Sequence, residues 1–198
     1  MSIYAIPCVL FAGGKSSRMG EDKALLPFAG KPTLAQYQYE RLEEIFARVY
    51  ISAKDASKFH DFDAAVIEDD IGKEVYAPTA GFANIFKKLK AENSLFVLSV
   101  DTPFVDEKIF QKFSEIKEAQ HYDAIIVRTP KGIHPLCGIY SRSLERPLLD
   151  MLKKDEHKLA ALLEVSKVYY IDIKDEDALL NLNTPQEYQR ALKILEQA

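Results

Sequence analysis

The residues that could do chemistry gather in a few short stretches. Leu10–Lys23 reads LFAGGKSSRMGEDK: two adjacent glycines, then the cations Lys15, Arg18 and Lys23. Glycine lets backbone N–H groups converge on an anion. An arginine fork beside a lysine point charge neutralises a polyphosphate. The GKS triplet inside the stretch is not a P-loop, because the glycine that signature needs five positions earlier is replaced by Val9. The dinucleotide fingerprint GxGxxG fails too, since Gly13-Gly14-Lys15-Ser16 has the wrong register. What remains is an anion cradle of a third kind, in which Lys15 is the weakest of the cations. A plain surface turn would not need Gly13, Gly14 and Gly20 together with that much positive charge.

Further along, Asp101 follows LFVLSV (Leu95–Val100), the most apolar run of the chain. A helix N-cap is the alternative role, but Asp106 fills it better because helical periodicity begins after it. Asp101 therefore reads as a metal ligand, of the kind that holds Mg²⁺ through one or two carboxylates, waters and substrate phosphates. Glu68-Asp69-Asp70 also follows an apolar run and reads equally well as a solvated turn. In NLNTPQE, Thr184 is an N-cap, Pro185 the first helical residue, and Glu187 completes a capping box. Asn181 and Asn183 are left over and share one face of an extended segment. Two amides there suit a polar heterocycle, or one of them the metal. His134 precedes Pro135, so its backbone is extended, and a lone histidine is more often structural than functional. Cys8 and Cys137 lie in apolar runs and read as core.

Strands alternating with helices must position these groups. Pro7–Ala12, Val49–Ala53, Ala64–Ile67, Leu95–Val100, Ala124–Val127, Leu136–Tyr140 and Val168–Ile173 read as strands. Thr33–Phe46, Thr79–Lys90, Asp106–Lys117, Ser143–Leu152, Lys158–Leu163 and Pro185–Leu195 read as helices. The alternation predicts a three-layer α/β domain with a mostly parallel sheet, one domain over residues 1–198. Ligands in such sheets bind beyond the carboxyl ends of the strands. Gly13–Lys23, Ser52–Lys54, Glu68–Asp70 and Asp101–Phe104 stand there.

Composition narrows the class. The 198 residues carry a formal net charge of −4 and are 47% hydrophobic and 28% charged, ordinary for a globular protein. There is no basic tract of the kind nucleic-acid binders display, so a phosphate-bearing partner must be held by a local site. No apolar run approaches the ~20 residues of a membrane span, and no basic lead-in or cleavage region suggests a signal peptide. Two cysteines without a CxxC argue against a disulfide scaffold and point to a reduced, cytoplasmic setting.

LFAGGKSSRMGEDKALL resembles the opening signature of the nucleoside-triphosphate transferases with a Rossmann-like core. Val66-Ile67-Glu68-Asp69, Pro78-Thr79-Ala80-Gly81, Asp101-Thr102-Pro103-Phe104, His134-Pro135-Leu136 and Asn181-Leu182-Asn183-Thr184-Pro185 are similar to segments of the branch that guanylates the molybdenum cofactor. Together they run almost the full length. The resemblance implies a three-layer α/β/α Rossmann-like domain with a mostly parallel, mixed central sheet. It implies that Ala12, Gly13, Gly14 and Lys23 contact GTP, with Gly81 of the turn before a helix, and that Asp69 contacts the nucleotide. Asp101 would hold Mg²⁺, and Asn181 and Asn183 would face molybdopterin. The implied reaction joins GMP to the terminal phosphate of molybdopterin and releases pyrophosphate. Arg18, Lys23 and Asp101 would carry it by positioning and charge neutralisation. An unstable pterin also implies a transient contact with cofactor-handling or acceptor proteins. Ala77 and Thr79 depart from the family's Gly-Pro-Leu-Ala-Gly turn, Phe11 stands where the family usually has Leu, and Ser52-Ala53-Lys54 replaces asparagines that often touch the nucleoside. The competing readings are a transferase of the same fold using CTP or a sugar phosphate, and a non-catalytic nucleotide-binding domain.

Overall fold

A computed structural model describes residues 5–13, 20–70 and 77–197. The described strands are β1 (Cys8–Phe11), β2 (Val49–Ala53), β3 (Val66–Glu68), β4 (Ser94–Ser99), β5 (Ala124–Thr129), β6 (Gly132–Ser141) and β7 (Val168–Asp172). They form one sheet in the order β3-β2-β1-β4-β6-β5-β7. β1 pairs in parallel with both β2 and β4, β2 with β3, and β5 with β7, while β6 runs antiparallel to β4 and β5. The sheet is therefore mixed but mostly parallel, as expected.

The helices are α1 (Leu34–Glu43), α2 (Pro78–Lys88), α3 (Glu107–Ser114), α4 (Glu145–Lys153), α5 (Leu159–Glu164) and α6 (Pro185–Glu196). β1 and the Leu95–Leu98 stretch of β4 are apolar because both faces are covered. Cys8, Leu10, Phe96 and Leu98 pack against α1, α3 and α6 on one side, and Val9, Leu95 and Val97 against α2, α4 and α5 on the other. Asp106 caps α3 through Ile109 N–H at 3.1 Å, and Thr184 caps α6 through Glu187 N–H at 3.2 Å, both as the sequence predicts.

The chain leaves β1 toward β2 and β3, then crosses back to β4 on the other side of β1. That reversal opens a crevice beyond the carboxyl ends of β1 and β4, the usual ligand position in open α/β sheets.

β6 differs most from expectation. It begins at Gly132, which takes φ +137° and starts a hairpin out of β5, and it runs ten residues instead of Leu136–Tyr140. Its register with β5 jumps from Ile126↔Gly138 to Val127↔His134, so Pro135–Cys137 have no partner in β5. Gly138 permits the approach of the strands, since a Cβ there would lie 2.3 Å from the Ile125 carbonyl oxygen. The interruption hid the strand's length from periodicity.

Candidate functional site

Asp101 leaves the sheet in a fixed pose. Val100 N–H still donates to Phe11 C=O at 2.9 Å, so the path of β4 follows β1 to the last residue before Asp101. Thr102 then folds back, its hydroxyl donating to Ser99 C=O at 2.8 Å, and Ser99 Oγ–H donates to Asp101 Oδ1 at 2.6 Å. Leu182 N–H donates to Asp101 C=O at 2.9 Å, tying the lead-in of α6 to the same residue.

Lys23 opens a single 3-10 turn, Lys23–Leu25, that Asp22 caps. Its Nζ lies 2.5 Å from Asp101 Oδ2 and 2.9 Å from Asn183 Oδ1. The two charged side chains are 16% and 13% exposed, shielded enough for the pair to interact more strongly than it would in open water. Three segments far apart in the chain thus meet beyond β1 and β4. Beside them is a cavity of about 190 Å³ whose lining includes Ala12, Gly13, Lys23, Pro78, Asp101 and Leu136.

The two described glycines proposed for ligand contact behave differently. Gly13 is exposed, and a Cβ there would meet Ala53 Cα at 3.7 Å, ordinary contact. Among the described residues neither packing nor backbone angle requires glycine at this position. Gly81 is buried in the first turns of α2, and a Cβ there would come within 2.6 Å of Phe11 Cε1. Its lack of a Cβ serves the close seating of α2 on the sheet. Gly14, Lys15 and Arg18 lie outside the described residues.

Asp69 follows β3 and is 5% exposed, not a solvated turn. Its N–H donates to Ala53 C=O at 3.0 Å, but Oδ1 has no hydrogen-bond partner among the described residues. Burial pushes its pKa up to about 6, Lys54 opposing and Asp70 and Glu68 adding to the rise. Between the ordinary carboxylate value and 6 the folded chain binds more protons than the unfolded one, so this group's contribution to stability falls as pH rises through that window. A shift from 3.8 to about 6 corresponds to about 3 kcal/mol lost at neutral pH. Asp69→Asn is therefore expected to raise the melting temperature at pH 7.5 and to lose that advantage by pH 4. Thermal melts of both chains across that range check it, and a pH-independent difference would contradict it.

The turn after Asp69 is held by a residue the sequence reading missed. Asn84, fully buried in α2, accepts from Asp70 N–H at 2.9 Å and donates to Ala80 C=O at 2.8 Å. The available signal was an amide set inside the apolar run GFANIF.

Asn181 and Asn183 part company. Asn183 faces Lys23, whereas Asn181 Nδ2 donates to Leu179 C=O at 3.3 Å. Glu187 departs from a plain capping box by accepting from Asn183 N–H at 2.9 Å, which fixes the backbone that aims Asn183. His134 Nε2 lies 3.0 Å from Thr129 Oγ1, at the carboxyl end of β5, and burial lowers its pKa. Cys8 and Cys137 are buried free thiols whose pKa values burial raises, as befits core residues.

Among the described residues no cluster of three or more His, Cys, Asp or Glu side chains could hold a metal ion. A divalent cation here would depend on Asp101 plus ligands from a substrate, which suits Mg²⁺ bound with phosphates and water. Among the described residues no helix is long and apolar enough to cross a membrane.

Comparison with known proteins places the chain in a family. Residues 8–169 match the family model of the MobA-like NTP transferase domain. A molybdenum cofactor guanylyltransferase from Campylobacter jejuni is 40% identical over 190 residues, covering 96% of this chain and 97% of that protein. The crystal structure of an Aquifex aeolicus protein superposes with TM-score 0.74 at 33% identity, covering 91% of this chain and 94% of that one. The molybdopterin-guanine dinucleotide biosynthesis protein A from Archaeoglobus fulgidus shares the fold with TM-score 0.82 at 21% identity, covering 98% of this chain and 100% of that one.

Proposed function

The chain belongs to the MobA-like NTP transferase family, and from that premise we propose that it transfers GMP from GTP to the terminal phosphate of molybdopterin, releasing pyrophosphate. The observation that carries this reading is the junction of Lys23, Asp101 and Asn183 at the reversal between β1 and β4. It offers one cation, one carboxylate and one amide beside a cavity of about 190 Å³ that Gly13 helps to line.

The acceptor is a phosphate monoester with a second pKa near ~6, so it arrives largely as a dianion at neutral pH and needs no general base. The obstacle is repulsion between that dianion and a triphosphate. An acceptor oxygen bonds to the α-phosphorus as the bond to the α–β bridging oxygen breaks, and pyrophosphate leaves with that oxygen. Lys23 and Arg18 meet the triphosphate oxygens, Ala12, Gly13 and Gly14 let the backbone approach them, and Asp69 contacts the nucleotide. Asp101 would hold Mg²⁺, which when bound neutralises phosphate charge. Preorganised charge of this kind commonly supplies the largest share of such catalysis.

Asn183 sits before α6 and closes on Lys23 after β1, which supports a single domain acting over residues 1–198. The GTP requirement and the free thiols support a cytoplasmic setting.

Calorimetric titration with GTP and with CTP, each with Mg²⁺, tests the base assignment. Tighter binding of GTP is expected, and a clear preference for CTP would move the chain to a cytidylyltransferase reading. The asparagines give a second test. Asn181→Ala should raise the KM for molybdopterin and leave GTP affinity unchanged. Asn183→Ala should also weaken GTP, by about tenfold, because it removes one of the partners that aim the Lys23 ammonium, a charge-assisted hydrogen bond. Equal effects of the two variants on GTP would refute the division of labour.

A further inference from the structure

The main chain from Val100 to Val105 carries Asp101, and both its ends rest on polar side chains of α1. Gln38 is fully buried on the core face of α1, between Leu34, Ala35 and Leu42. Its Nε2 donates to Val100 C=O at 3.2 Å. Arg41, one turn later, donates from Nη1 to Val105 C=O at 2.5 Å and from Nη2 to Gln38 Oε1. Arg41 Nε is sealed from solvent with no hydrogen-bond partner among the described residues. None of these contacts involves a carboxylate. A guanidinium sealed against neutral acceptors carries a desolvation cost that no ion pair among these contacts offsets. Its geometric effect is specific: guanidinium and amide together bridge the two carbonyls that bracket Asp101.

We propose that Arg41 and Gln38 are positioning residues that set the span between Val100 and Val105 and thereby hold Asp101 in the pose that takes a divalent cation. The pair touches neither substrate nor metal. It acts from beneath the turn, while Ser99, Lys23 and Leu182 act on Asp101 itself. The proposal rests on the reading of Asp101 as the metal-holding residue, so its test carries a separate control for that reading.

The test titrates Mn²⁺ into the full chain in the presence of a GTP analogue with a non-hydrolysable α–β bridge, following free Mn²⁺ by electron paramagnetic resonance. Circular-dichroism melts run alongside. Arg41→Met keeps the volume but leaves Val105 C=O and Gln38 Oε1 without their donor, so it should melt somewhat lower while needing about tenfold more Mn²⁺, the usual effect of losing an outer support of a metal ligand. Gln38→Leu should shift Mn²⁺ in the same direction. Arg41→Lys should recover only part of the loss, because an ammonium cannot bridge both acceptors as a planar fork does. If Arg41→Met fails to fold, Gln38→Leu decides alone. A folded variant with unchanged Mn²⁺ affinity, or a lowered melting temperature without a Mn²⁺ shift, makes the pair plain structural support and overturns the proposal. Asp101→Asn separates the two claims: if it too leaves Mn²⁺ affinity unchanged, the reading of Asp101 is what fails.

Discussion

Asp101→Asn is expected to lower GMP transfer by at least ~10³-fold, since a metal site of this type supplies several kcal/mol of charge stabilisation in the transition state. Asparagine is nearly the same size and can still meet Ser99 Oγ and Lys23, so the fold should survive. What disappears is the only negative charge that Asp101 brings to the junction. Among the described residues no three-carboxylate or mixed cluster stands nearby to substitute for it. Saturating Mg²⁺ should therefore not restore the rate. Transfer assays at rising Mg²⁺, with melts as a fold control, would show this. Recovery to within tenfold of the original rate would mean that Asp101 is not the metal-holding residue.

Lys23→Met should reduce kcat/KM for GTP by about 10²-fold or more, the range seen when one preorganised charge stabiliser is removed. The geometry adds a second, opposite signature. Lys23 Nζ lies 2.5 Å from Asp101 Oδ2, so ammonium and divalent cation compete for the same carboxylate. Without the ammonium, Mn²⁺ should bind Asp101 more tightly in the absence of nucleotide, even as turnover falls. Lys23→Arg should not repair the defect, because a guanidinium fork cannot reproduce a point charge held between Asp101 and Asn183. Unchanged kinetics in Lys23→Met would remove this residue from the phosphate site. A fall in both turnover and metal binding would mean that Lys23 only braces Asp101.

Much of the architecture could be read from the chain, for reasons that differ between elements. β1 and β4 are short apolar runs ended by glycine or aspartate, so strand, burial and site edge are all encoded locally. The caps at Asp106 and Thr184 are local too, which is why both hold in the fold. Lys23 and Asp101 were individually legible from their places after strands. Their pairing was not, because 78 residues separate them, and 160 separate Lys23 from Asn183. Glu187 was expected to serve only the cap, yet it also fixes the Asn183 backbone, a distinction no spacing rule contains. β6 was half-read because Pro135 and a register jump interrupt its alternation. Gln38, Arg41 and Asn84 were missed because a polar residue on a helix reads as solvent-facing until the element packed over it is known. The packing of Gly81 against the aromatic ring of Phe11 was not legible either, since the two lie 70 residues apart.

The central claim is that GTP is cut at its α-phosphorus and the GMP passes to molybdopterin. Incubating the purified chain with α-phosphate-labelled GTP, Mg²⁺ and molybdopterin tests it most directly. Label is expected in a pterin–guanine dinucleotide, with one pyrophosphate released for each GMP transferred and slower transfer from CTP. Label appearing only as free GMP or GDP, or transfer faster from CTP than from GTP, would contradict it.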